Sequence, residues 1–118
     1  MKHLAALASV LAAVGVTTVA AVAHHGWGSY DAANPVTASG PVQTSTFENP
    51  HATITIKSAD KVWTVTLAPT SRMTTRGASA DVIAIGKTVS AYGYPSTAEK
   101  DEMRAERITV DGKTYELR

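Results

Sequence analysis

A small all-β barrel is the fold class this sequence predicts, and three observations predict it. From Val36 onward the apolar residues recur with a period of two, as in Ala52-Ile54-Ile56 and Trp63-Val65-Leu67. These runs are rich in Val, Ile and Thr and are separated by turn signals at Asn49-Pro50, Ser58 to Asp60 and Asp111-Gly112. One short stretch, Arg72 to Arg76, carries the flanking residues of a helix. Three strands, a short helix and two or three further strands is the order of the five-stranded Greek-key barrel called the OB-fold, with its helix between strands three and four. An open β-sandwich or another small barrel is the competing architecture.

The elements follow in order. Val36 to Phe47 predicts a long strand bent at Gly40-Pro41, where proline removes a ladder donor and glycine lets the backbone turn. His51 opens the next run on the polar parity, with Thr53, Thr55 and Lys57, while Ala52, Ile54 and Ile56 face the core. Lys61 to Leu67 completes a hairpin and places Trp63, Val65 and Leu67 inside. Thr70 or Ser71 caps the helix and Gly77 ends it, and Ser79 to Ile85 makes a second turn. Thr88 to Tyr94 is the next strand, and Ser96 to Glu102 a polar loop. Met103 to Val110 and Lys113 to Leu117 flank Asp111-Gly112, a two-residue hairpin turn.

The start of the chain has another character. Lys2 and His3 precede an uncharged apolar run from Leu4 to Val16, and Ala21-Val22-Ala23 is a small-residue cleavage site. Leu4 to Ala23 is also about the 20 residues that cross a bilayer, but it is alanine-rich, contains Gly15 and has no basic cluster after it. The sequence therefore predicts a signal peptide over residues 1–23, an N-terminal arm over 24–35 and an OB-like barrel domain over 36–118. The protein is expected in the periplasm, with no membrane attachment after cleavage. The chain has no cysteine, hence no lipid-attachment site and no disulfide framework. With Lys2 removed, acidic and basic side chains balance. A neutral domain lacks the charge that nucleic-acid binding requires.

Cleavage after Ala23 makes His24 the first residue, so that its α-amine and imidazole can chelate one metal ion. His51 can add a third nitrogen, the arrangement called a histidine brace. His25 is a further candidate ligand, through a site built from the amine, an intervening amide and its imidazole. Imidazole and amine nitrogens suit copper first, with zinc as the second candidate. Solvated histidines, with His51 hydrogen-bonded to a loop, are the plainer reading. Met73 and Met103 are candidate soft ligands but fit better as core residues.

The arm holds Trp27 and Tyr30, which anchor it if they dock on the core. Tyr92 and Tyr94 share one strand face and, with Trp27, form a candidate ligand-binding surface for a glycan, a protein or a small molecule. Arg72, Arg76, Arg104 and Arg107 could take an anion, but Asp101, Glu102 and Glu106 lie close in sequence, so a solvated mixed-charge face is expected there. There is no Gly-x-Ser-x-Gly elbow, phosphate loop or His-Glu-x-x-His, and no catalytic residue is assigned.

Ala23-His24-His25, Asp31, Asn34-Pro35-Val36, Asn49-Pro50-His51, Gly86-Lys87-Thr88-Val89, Gly93-Tyr94, Arg104-Ala105-Glu106-Arg107 and Asp111-Gly112-Lys113 together resemble the exported bacterial family called Domain of Unknown Function 6152. The resemblance covers residues 23–118 and implies export, a small β-barrel and no assigned activity. It also implies that the paired histidines and Asn-Pro-His belong to one motif. Relatives often carry serine after the paired histidines, where this chain has Gly26-Trp27. The sequence thus predicts a non-enzymatic periplasmic metal-binding barrel. The alternative is an interaction module for a periplasmic protein, glycan or small ligand, without a metal.

Overall fold

The computed structural model describes residues 26–118. The expected signal peptide, His24 and His25 lie outside the described residues. Six strands are present: β1 (Val36–Thr46), β2 (Thr53–Ser58), β3 (Lys61–Thr66), β4 (Thr88–Pro95), β5 (Glu102–Val110) and β6 (Lys113–Glu116). One short helix, α1 (Thr70–Thr75), and a 3₁₀ turn (Ala80–Ile83) connect β3 to β4. The strand order is β3-β2-β1-β4-β5-β6, and parallel pairing of β3 with β5 closes five strands into a barrel. The expected OB-like barrel is present, with β6 added as a hairpin on β5.

β1 is long because it serves two neighbours. Val36 to Pro41 pairs with β4, and Val42 to Thr46 pairs with β2. Its register against β2 shifts between Val42 and Thr44, just past the change of partner, and a Cβ at Gly40 would overlap the Lys57 carbonyl oxygen. Only glycine permits that approach. Gly93 stands equally close to the Arg104 carbonyl oxygen, beside a register shift between β4 and β5. There Tyr92 pairs with Arg107 and Gly93 with Ala105, which leaves Glu106 as the extra residue of a bulge.

The period-two runs point inward as expected. Ile54, Ile56, Val65, Val89, Ala91, Met103 and Ile108 are fully buried. Met73 of α1 and Ile83 of the 3₁₀ turn join the same core, so both methionines are core residues. A six-residue helix is too short to stand alone, and burial of Met73 is what holds it. Asp111 and Gly112 both have positive φ, 51° and 78°, as a two-residue hairpin turn requires.

Three expectations need correction. No side chain caps α1: Pro69 occupies the cap position, and the Thr70 hydroxyl donates instead to Asn49 Oδ1 at 2.9 Å. That bond ties the β1–β2 connection, which contains a cis Asn49–Pro50 peptide, to the helix start. Trp63 is half-buried rather than interior, packed against the core from a position two pairs from the turn of the β2–β3 hairpin. Lys61 Nζ covers its ring at 4.1 Å. Finally, the Ser96 loop ends one residue early, since Glu102 already pairs with Thr64 across the barrel seam.

Candidate functional site at the barrel seam

The parallel seam between β3 and β5 positions the site. Thr64 and Thr66 of β3 stand opposite Glu102 and Arg104 of β5, and Tyr94 of β4 flanks Arg104 on its other side. Met103 and Ala105 point into the core, so alternation turns Glu102 and Arg104 outward. An outward arginine is normally solvated. Here the arm covers it.

The arm is held by backbone and aromatic contacts together. Asp31 N–H donates to the Pro95 carbonyl at 2.9 Å, and Thr97 donates to the Ser29 carbonyl through its N–H at 2.9 Å and its hydroxyl at 3.0 Å. Tyr30 bridges Ser96 and donates its hydroxyl to Glu102 Oε2 at 2.7 Å. Thr66 donates to the same oxygen at 2.8 Å. Burial, then donation to the Glu102 carboxylate, pushes the Tyr30 phenol up to about 12.

Trp27 lies over the seam. Its ring meets Tyr30 and Tyr94 edge-on, with centroids at 6.3 and 6.1 Å, and Tyr94 meets Tyr92 in the same way at 6.1 Å. Guanidinium groups interleave with these rings. Arg104 Cζ stands 4.1 Å and Arg118 Cζ 4.6 Å from the Trp27 centroid, and Arg107 Cζ 4.6 Å from that of Tyr92. Glu106 accepts hydrogen bonds from Tyr94 at 3.0 Å, Arg107 at 3.0 Å and Arg118 at 3.3 Å. The bond to Glu106 is the main influence that raises the Tyr94 phenol.

Arg104 is the centre of this arrangement. It is 8% exposed, and the solvated face expected for it is thus corrected: Trp27 excludes the water. Its Nη2 lies 3.4 Å from His51 Nε2, and its Nε has no hydrogen-bond partner among the described residues. Burial lowers its pKa, and the like charges of Arg72 and Arg118 act in the same direction, with Tyr30 and Glu102 opposing them. Arginine only donates, so the contact is a hydrogen bond when His51 Nε2 carries no proton.

The structure therefore brings together His51, Trp27, Tyr94 and Tyr92, in a continuous series linked through Arg104. Among the described residues no group of three or more His, Asp or Glu could hold a metal, and His24 and His25 lie outside them. Sequence reasoning missed Glu102 as a site residue and ranked Tyr30 as an arm anchor and Arg104 as part of a solvated face. The available signal was Trp27 and Tyr30 on a short glycine-rich arm, since two large aromatics there need a platform.

No curated protein and no solved structure matches this chain. The model of one protein family, by contrast, matches residues 11–105, which include the arm, the Asn49-Pro50-His51 turn and the paired residues of the seam. The chain belongs to that family, described as the Family of unknown function (DUF6152).

Proposed function

We propose that the protein is an exported periplasmic metal-binding module, for copper before zinc, that uses a processed N-terminal His24 with His51 and His25. The observation that carries this reading is the docking of the arm. Trp27 rests on Arg104, and Arg104 reaches His51 at 3.4 Å. His24 precedes Trp27 by three positions, a reach of at most about 10 Å. The arm is thus anchored within reach of the one described histidine. An α-amine and imidazoles form a nitrogen donor set that favours Cu(II) among divalent ions. A metal on Nε2 of His51 would replace the Arg104 contact.

Cu(II) added to the protein, after mass spectrometry has established its first residue as His24, should give an EPR spectrum dominated by nitrogen coupling. His51→Ala and an extra residue before His24 should each change the spectrum and weaken binding about tenfold or more. Unchanged spectra and affinities in both variants would remove the reading.

The continuous Trp27–Tyr94–Tyr92 row favours a second reading, an interaction module for a glycan, protein or small ligand. It predicts ligand-induced shifts of the Tyr92 and Tyr94 ring resonances that Tyr92→Ala abolishes, with copper uninvolved. Soluble oligosaccharides that leave both rings unshifted would count against it.

A further inference from the structure

We propose that the Nε–Nη2 edge of Arg104 is a binding site for the carboxylate group of a small organic acid. This is a ligand class separate from the metal, and the inference does not rest on the metal reading. Arg104 is buried, and it forms no ion pair among the described residues. The two glutamates of the same strand accept hydrogen bonds from other groups. Glu102 accepts from Tyr30 and Thr66 through Oε2, and Glu106 accepts from Tyr94, Arg107 and Arg118.

A buried guanidinium without an anion is unfavourable, and the unmet demand sits at one edge. Nε has no acceptor among the described residues, and the Nη2 contact to a ring nitrogen of His51 is a long one, 3.4 Å. Charged N–H donors normally sit about 2.7–2.9 Å from a carboxylate oxygen, so the His51 contact is a weak occupant. Nε and Nη2 are parallel donors on one side of the planar group, and a carboxylate presents two parallel acceptors. Its two oxygens would satisfy both, with His51 released from Nη2. The guanidinium of Arg118 on the same Trp27 ring adds attraction for an anion. The site lies under Trp27, so filling it changes the surroundings of that indole.

The test uses the purified protein freed of metal on a chelating resin. Acetate is the probe, inorganic phosphate the second anion and sodium chloride the ionic-strength control. The Arg104 Nε–H resonance should move downfield saturably with acetate, with half-saturation near or below about 10 mM. Trp27 emission, isolated in a Trp63→Phe background, should follow the same curve. Arg118→Gln, a change at an exposed side chain, should weaken binding about threefold. Arg104→Lys keeps the charge but loses the fork, and should weaken it about tenfold or more. An Nε–H resonance that acetate leaves unmoved, or that sodium chloride moves equally, would overturn the site even if Arg104→Lys failed to fold. An equal response to phosphate would overturn the carboxylate assignment. Because no metal is present, failure here leaves the copper experiment unaffected, and the reverse also holds.

Discussion

The Arg104 guanidinium stands over the Trp27 ring, with its carbon 4.1 Å from the indole centroid. One residue comes from the arm and the other from the last strand of the closed barrel, so this contact decides whether the arm lies down. A desolvated cation–π contact is worth about 2 kcal/mol, and each edge-on aromatic pair about 1 kcal/mol. Trp27→Ala removes the stack on Arg104, the contact of Arg118 and the pairs with Tyr30 and Tyr94. The Asp31 and Thr97 amides, bonded to Pro95 and Ser29, should lose at least about tenfold of their exchange protection in this variant. Amides of β1 and β4 should keep theirs, since the barrel closes without the arm.

Alkaline pH should release the arm through Tyr30. Its folded pKa is raised, from the usual 10 to about 12, so the folded state holds the phenolic proton more tightly than the unfolded state. The associated stability is complete below about pH 10 and is lost as pH rises through about 12. Tyr30→Phe should lower stability at neutral pH and flatten the decline above about pH 10. Denaturant midpoints measured on both proteins across that window check the sign.

Close backbone approaches at two glycines leave no room for a methyl group. Gly40→Ala drives a Cβ into the Lys57 carbonyl, and Gly93→Ala drives one into that of Arg104. Each should destabilise the fold by about 3 kcal/mol or more, since the obstructing atoms are backbone. Gly28→Ala meets nothing within 4 Å and should be nearly neutral. Thermal melts of the three variants provide the comparison.

Met73 separates packing from metal chemistry. It is fully buried in the core, and Met73→Ala should cost about 2–5 kcal/mol. Under native conditions the metal stoichiometry of the variant should equal that of the parent. A lost metal equivalent in a folded Met73→Ala sample would make this methionine a ligand.

Much of the barrel was legible because its signals are local. Alternation from Ala52 to Ile56 set the inner face of β2, and Asp111-Gly112 fixed the final hairpin. Tyr92 and Tyr94 share a face for the same reason, and the structure places their rings 6.1 Å apart. Trp63 was misjudged because parity says which side a residue faces and not how near the hairpin turn it sits. Arg104 was misjudged for a deeper reason. Its neighbours Glu102, Glu106 and Arg107 make a solvated charge pattern, and nothing local records that residue 27 will lie on residue 104. The partition of the carboxylates is likewise non-local: Glu102 serves Tyr30 and Thr66, 72 and 36 positions away.

The seam has a consequence for the order of assembly. Hairpins β2–β3 and β5–β6 can each form from nearby residues, whereas β3 meets β5 only after the intervening chain has wrapped around. The anchorage of Tyr30 uses both sides of that last junction, because Thr66 of β3 and Tyr30 donate to the same oxygen of Glu102 on β5. An arm searching for its place therefore finds this anchorage whole only once closure is complete. Any ion or acid held there would be captured by finished molecules alone, which makes the arm a latch on completed folding.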